Sequence, residues 1–185
     1  MAYFFFDFKD TGKQDARAFL SSVLVQLSNQ SVLFCNIILE FYSAHQHSSQ
    51  QPSDRELGQC LEKMLKVPIQ ESIYFILDAL DECPDTSGLS SPREKVLDLV
   101  ENLVSLRLPN LRLCVTSRPE IDIRNVLEPL TSTSNRISLH DEEGQKKDIA
   151  DYVRSVVYSD RKMMKWRKSD KELVIETLSA RANGM

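Results

Sequence analysis

The chain has 185 residues and a formal net charge of −4, and 42% of its residues are hydrophobic. These values suit one globular domain with a buried core. They argue against a nucleic-acid-binding protein, because phosphate binding depends on clustered Lys and Arg. No apolar run approaches the ~20 residues that a membrane-spanning helix needs. Four scattered cysteines without a CxxC pair favour buried free thiols in a reducing compartment. The protein is therefore expected to be cytosolic or nuclear, and we take the cytoplasm as its location.

Strand and helix patterns alternate along the first half of the chain. Residues 3–8 are aromatic and apolar, which predicts a short strand. Three amphipathic helices are predicted next, and the third begins at a capping box formed by Ser53 and Glu56. The continuous apolar run 73–77 predicts a second strand that is buried on both faces. Such alternation predicts a parallel sheet with helices on both of its faces.

The second half continues this pattern with further helices and strands. The predicted elements are a helix starting at Ser91, Pro92 and Glu94, a strand at 111–116, a short helix at 121–130, a weak strand at 136–139, and helices opening at Asp141 and Ser169. We therefore divide the chain into an α/β core over residues 1–140 and the start of a helical extension over residues 141–185.

Three carboxylates, those of Asp78, Asp81 and Glu82, follow the second predicted strand. Ligands of open α/β sheets bind at the carboxyl ends of the strands, where these acids are expected to lie. Asp78 is well placed to hold Mg²⁺, a hard cation that prefers oxygen ligands. The pattern is typical of the Walker B element of a P-loop nucleoside triphosphatase. The alternative is a buried strand that ends in a solvated acidic loop.

The strand at 111–116 ends in Thr116, Ser117 and Arg118. Pro119 disfavours helical geometry at Arg118, so we expect this arginine to project from the same sheet edge as Asp78. A guanidinium beside a metal-binding carboxylate is a natural partner for a triphosphate. The alternative here is a helix-capping turn followed by a surface arginine.

Together, the segments ILDALDEC (76–83) and VTSRPE (115–120) resemble the NACHT class of signal-transducing NTPases. More narrowly, the chain is similar to the nephrocystin-3-like N-terminal domain, which is abundant in fungal proteins with ankyrin or other repeats. Supporting segments are YFFFDF (3–8) and LSSVLVQL (20–27). The resemblance covers essentially the whole chain and implies a P-loop NTPase fold.

The resemblance also implies roles for individual residues. Asp78 would hold Mg²⁺, and Asp81 or Glu82 would position or activate the attacking water. Arg118 would sense the γ-phosphate of ATP or GTP. Thr116 and Ser117 would line the same pocket, as residues that bind the cofactor.

The phosphate-binding loop GxxxxGK[ST] is not found in the sequence. Gly12 precedes Lys13, but Asp7 stands where the loop requires its first glycine, so these residues predict a turn. In the family, the loop and its strand precede the segment that residues 3–8 resemble. We therefore expect a chain truncated before Tyr3, without the first strand and the P-loop. Such a chain would bind nucleotide weakly and would not be a competent NTPase by itself.

Two further interpretations stay open. The chain could be a non-catalytic interaction module derived from a NACHT domain, which pairs with related NACHT or repeat proteins or with itself. An unrelated Mg²⁺ phosphohydrolase that uses Asp78, Asp81 and Glu82 is disfavoured, because no phosphate-binding group is evident.

The basic run RKMMKWRK (161–168) favours a solvated connector whose methionines and tryptophan pack inward. Contact with nucleic acid or anionic lipid is the alternative for this run.

Overall fold

A computed structural model describes residues 1–46, 51–68, 71–86, 91–138 and 143–181. The chain divides into two compact units, Met1–Thr131 and Ser132–Met185. The elements of the first unit are the strands β1 (Ala2–Phe5), β2 (Ile73–Asp78) and β3 (Leu111–Val115) and the helices α1 (Ala16–Ser28), α2 (Val32–His45), α3 (Asp54–Leu65), α4 (Pro92–Ser105) and α5 (Ile121–Leu130). The second unit contains α6 (Glu143–Ser159) and α7 (Lys168–Arg181). The predicted α/β class is confirmed.

The three strands form a parallel sheet in the order β1-β2-β3. Successive strands are therefore added in one direction across the sheet. Right-handed crossovers then place the helices that connect them on the same face. The prediction of helices on both faces is wrong for these strands, because covering the second face requires a reversal of strand order.

Burial alternates along each strand, as this one-sided arrangement requires. The covered face carries the core residues Ala2, Phe4, Ile73, Phe75 and Leu77. The opposite face, which we call the open face, exposes Tyr3, Phe5, Tyr74, Arg112 and Cys114. The prediction that β2 is buried on both faces is therefore wrong.

Two helix starts in the first unit follow the predicted capping signals. Both sides of the capping box are formed at Ser53 and Glu56 of α3 and at Ser91 and Glu94 of α4. Each box satisfies backbone N–H groups that the first helical turn leaves without a partner. The box on α4 fixes where this helix leaves the loop that follows β2.

The second unit is built on the contact between α6 and α7. The Tyr158 hydroxyl of α6 donates a hydrogen bond of 2.8 Å to Glu172 of α7. The Lys171 ammonium lies 5.0 Å from the centre of the Tyr158 ring. Val157 and Ile175 are the buried apolar residues of the two helices. These contacts make α6 and α7 a helical hairpin.

Several predicted boundaries near the second unit need correction. Residues 136–138 form no strand, and Leu139 and Asp141 lie outside the described residues. Ser169 is not the residue before the last helix, because α7 already begins at Lys168. Among the described helices, none combines the length and the apolar character needed to cross a membrane.

Candidate functional site

The carboxyl ends of β2 and β3 bring Asp78 and Thr116 together. The Thr116 hydroxyl donates a hydrogen bond to the Asp78 carboxylate and accepts one from the Ala79 N–H at 3.0 Å. The Thr116 N–H donates to the Leu77 carbonyl at 2.9 Å, and the Leu80 N–H donates to the Thr116 carbonyl at 3.0 Å. The two strand ends are thus joined through both side chains and backbone.

The chain reverses direction directly after Asp78. Ala79 has a φ of 56° and lies in the left-handed region, which costs a non-glycine residue about 1–2 kcal/mol. The short 3₁₀ turn Leu80–Glu82 follows, and the Leu80 side chain is fully buried in the core. Such backbone strain concentrates at functional sites, where surrounding contacts hold it in place.

Asp81 and Arg118 form an ion pair at the same edge. The Asp81 carboxylate accepts the Arg118 N–H at 3.0 Å and lies 3.4 Å from the guanidinium Nε. The Asp81 side chain is 10% exposed, whereas the Arg118 side chain is 81% exposed. Asp81 is therefore committed to holding the loop after β3, while the Arg118 guanidinium stays accessible to a ligand.

Glu82 and Ser117 are engaged by neighbouring backbone. The Glu82 carboxylate accepts the Phe8 N–H at 3.3 Å, which ties it to the loop after β1. The Ser117 hydroxyl donates to the Arg118 carbonyl at 2.9 Å. Asp78 differs from the other two predicted acids. Its carboxylate contacts a hydroxyl, that of Thr116, whereas the carboxylates of Asp81 and Glu82 accept backbone N–H groups.

Gly12 and Lys13 form the turn that the sequence predicted. They lie in a 3₁₀ turn, Thr11–Lys13, that begins at Asp10. The Asp10 carboxylate accepts the Gly12 N–H at 3.0 Å and lies 3.4 Å from the Lys13 ammonium. The Asp10 carboxylate therefore already contacts the Gly12 N–H and the Lys13 ammonium, the two groups that would have to bind a phosphate.

Arg93 is a buried residue of this region that sequence reasoning missed. Its guanidinium donates to the Cys83 carbonyl at 2.8 Å and to the Asp81 carbonyl at 2.6 Å, both in the loop after β2. It also donates to Glu120 and, at 3.2 Å, to Asp122, where α5 begins. Arg93 thus fastens the loops that carry Asp81 and Arg118 to each other.

Burial and hydrogen-bond partners have opposite effects on the pKa of Arg93. Burial disfavours its charged form, but the hydrogen bonds to Glu120 and Asp122 outweigh that effect and raise the pKa of Arg93. One sequence signal could have pointed to Arg93. It is a cation in the first turn of a predicted helix, where the macrodipole disfavours positive charge. Such an arginine must find its partners elsewhere, as Arg93 does.

The cysteines differ in their surroundings. The Cys83 thiol donates to the Gln14 carbonyl at 3.0 Å, and burial raises its pKa to about 12, so this thiol is no nucleophile. Cys60 is also buried. Cys114 is exposed, against the prediction, because it lies on the open face of β3.

The donor atoms at the sheet edge suit Mg²⁺ in part. The Asp78 carboxylate and the Thr116 hydroxyl are the oxygen ligands that this cation prefers. Across the described ranges, however, no group of three or more His, Cys, Asp or Glu residues could hold a metal ion. Asp78 therefore fits as one ligand of an ion that waters or phosphates also coordinate. The sequence offers no GxxxxGK[ST] loop for those phosphates.

A comparison with protein families matches residues 1–118 to the N-terminal domain of nephrocystin 3. The chain belongs to this family. The nephrocystin 3 N-terminal match spans β1, β2 and β3 and ends at Arg118, so it contains each predicted site residue. It confirms the narrower resemblance that was drawn from the sequence. No curated protein and no solved structure matches the chain.

Proposed function

We propose that this chain forms the metal-binding and sensor part of a NACHT-type, nucleotide-dependent signalling module. The observation that supports this most directly is the pairing of Asp78 with Thr116 and of Asp81 with Arg118 at the carboxyl ends of two adjacent parallel strands. Open α/β sheets bind their ligands at this edge. As part of the same proposal the protein acts in the cytoplasm, where its free thiols stay reduced.

Each residue has a stated role in this proposal. Asp78 holds Mg²⁺, which when bound neutralises charge on the phosphates of ATP or GTP. The exposed Arg118 guanidinium moves from Asp81 to the terminal phosphate, and Thr116 and Ser117 line the space beside it. Asp81 or Glu82 positions the attacking water only after its present partner is released. Without a phosphate-binding loop, this chain does not turn nucleotide over by itself.

Amide chemical shifts test the proposal directly. On titration with Mg²⁺ and ATP or GTP, we expect the signals of Asp78, Ala79, Thr116 and Arg118 to shift at millimolar nucleotide, because a single carboxylate holds Mg²⁺ weakly. Asp78→Asn should abolish these shifts, since it removes the charged ligand and keeps the size of the side chain. No phosphate release is expected at the same concentrations.

The matched control is Asp98→Asn on α4, which removes one exposed carboxylate away from the sheet edge. It should leave the nucleotide-dependent shifts unchanged. Shifts that persist in Asp78→Asn, or that appear elsewhere, would overturn the assignment. A robust Mg²⁺-dependent hydrolysis rate that Asp78→Ala abolishes would instead show a competent enzyme.

A second candidate function is a non-catalytic interaction module. The open face favours it, because Tyr3, Phe5 and Tyr74 form an exposed aromatic surface. Contiguous exposed apolar surface is typical of protein–protein contact. In this case related NACHT or repeat proteins, or a second copy of the chain, would cover the face.

A further inference from the structure

The turn between α6 and α7 concentrates positive charge at the end of the helical hairpin. We call residues 161–168 the basic tip, and its cations are Arg161, Lys162, Lys165, Arg167 and Lys168. Without these five, the remaining chain carries 18 Lys and Arg against 27 Asp and Glu. The charge of the tip is therefore opposite to that of the rest of the protein.

The cations of the basic tip are available to a partner. All five residues are exposed, and none takes part in an ion pair with a described residue. Two acids lie next to the tip. The Asp160 carboxylate accepts a hydrogen bond from the Lys162 backbone N–H at 2.7 Å, and the Asp170 carboxylate accepts one from the Ser169 hydroxyl at 3.3 Å. Neither neutralises a cation of the tip in these contacts.

Two of the three apolar side chains of the tip, Met164 and Trp166, also face solvent. Met164 is 64% exposed and Trp166 is 43% exposed. The prediction that the methionines and the tryptophan all pack inward is therefore wrong for these two residues. An exposed tryptophan between lysine and arginine is the combination that favours the interface between lipid headgroups and acyl chains.

Local hydrogen bonds give the tip a compact shape. The Met163 N–H donates to the Asp160 carbonyl and the Trp166 N–H donates to the Met163 carbonyl, each at 3.0 Å. These two turns connect the packed helices α6 and α7 and keep the exposed cations and Trp166 in one short segment. Binding to an anionic surface therefore requires little ordering of the backbone.

We infer that the basic tip is a docking site for an anionic lipid surface. Each Lys or Arg near such a surface strengthens attraction to its negative potential, and the contact weakens as salt increases. A nucleic-acid site is less consistent with the observations. Single strands are bound along grooves with several stacking aromatics, whereas the tip is a turn with one tryptophan.

Trp166 reports on this contact, because it is the one tryptophan of the chain. With vesicles of phosphatidylcholine and roughly 30% phosphatidylserine, we expect its emission to shift to shorter wavelength. Vesicles of phosphatidylcholine alone should cause no shift. Raising the salt concentration should reverse the shift, since screening weakens the attraction between the tip and the surface.

Charge reversal in the tip, Lys165→Glu with Arg167→Glu, should lower vesicle affinity about tenfold or more. The matched control reverses two exposed lysines elsewhere, Lys95→Glu with Lys147→Glu, and should change affinity less than about twofold. Because both variants change the net charge equally, a difference between them isolates the tip.

Four results would overturn the inference. They are an unchanged Trp166 emission with anionic vesicles, equal binding to neutral vesicles, equal loss in the two charge-reversal variants, and tighter binding to a single-stranded oligonucleotide than to the vesicles. The last result would assign the tip to nucleic acid.

Discussion

The Arg93 side chain is 7% exposed and makes hydrogen bonds to two carbonyls and two carboxylates. Replacing it by Met keeps the apolar stem but leaves all four acceptors without this donor. We expect Arg93→Met to lower the free energy of unfolding by roughly 2–3 kcal/mol, less than for a fully buried pair, because the partner carboxylates are 43% and 40% exposed. Urea denaturation followed by circular dichroism measures the difference.

Arg124→Met is the control for this prediction. Arg124 pairs with Glu128 one turn along α5, and its side chain is largely exposed. Its loss should cost about 0.5 kcal/mol or less. Arg93→Lys should recover only part of the stability, because an ammonium cannot reproduce the planar fork of donors. Equal effects of Arg93→Met and Arg124→Met would refute the role given to Arg93.

Single residues of the site could be predicted from sequence only where a local pattern marks them. Asp78 follows an apolar run and Arg118 precedes a proline, so both could be placed at strand ends. Arg93 finds its partners 10 to 29 residues away along the chain, and no local pattern contains that information. The left-handed backbone of Ala79 was equally hidden, because alanine does not ordinarily mark a positive φ.

Helices α2 and α3 are joined by a pair of titrating groups. His45, at the end of α2, lies 3.3 Å from Glu56 in the first turn of α3. Hydrogen bonds to the Phe41 carbonyl and to Glu56 raise the pKa of His45. Hydrogen bonds from Ser53, and then from His45, lower the pKa of Glu56 to about 2.

The direction of each shift fixes the pH dependence. The raised pKa of His45 stabilises the fold below pH 6.5, its ordinary pKa, and this contribution is lost as pH rises through the folded-state value. The lowered pKa of Glu56 stabilises the fold above pH 4.5, and this contribution is lost as pH falls towards 2. The pair therefore contributes most between these two ordinary values.

Thermal unfolding of His45→Gln tests this dependence. The melting temperature should fall below that of the wild type at about pH 5.5, and the difference should shrink towards about pH 9 as the pH rises through the raised pKa of His45. In a Glu56→Gln background the effect of His45→Gln should depend less on pH but should keep some dependence, because the hydrogen bond to the Phe41 carbonyl also raises the pKa of His45. A gap between wild type and His45→Gln that is equal at both pH values would contradict the prediction.

Helices and strands could be predicted where the sequence signals that mark them are local. The capping boxes at Ser53 and Ser91 mark true helix starts, and the helix at 121–130 has the predicted bounds. The exposure of the open face was not predictable from the strand patterns alone. It depends on strand order, which decides the face on which each crossover lies.

Across the whole first unit, the open face gives an expectation about assembly. Tyr3 and Tyr74 are exposed large side chains on adjacent strands. If a second copy covers this face, light scattering should show self-association that increases with concentration. Tyr3→Lys with Tyr74→Lys should then return the protein to a monomer, because two charges would be desolvated at the contact.

The control for assembly changes two exposed apolar residues on helices, Val25→Lys with Leu39→Lys. This variant should associate as the wild type does. A wild type that stays monomeric at all accessible concentrations would exclude pairing between copies through the open face. Loss of association in both variants would show a general effect of charge on solubility.

The pairing of β1 with β2 also has a consequence for biosynthesis. Ala2 aligns with Phe75, so β1 is translated 73 residues before the strand beside which it will lie. At ordinary elongation rates the ribosome needs about 4–15 s to make that interval. During this time β1 can pack against α1, whose Gln26 side chain hydrogen-bonds the Tyr3 N–H and carbonyl, but its one strand partner among the described residues, β2, has not yet been made. β1 and β2 can therefore pair before β3 is translated, so the sheet can be assembled in chain order from one edge to the other during synthesis.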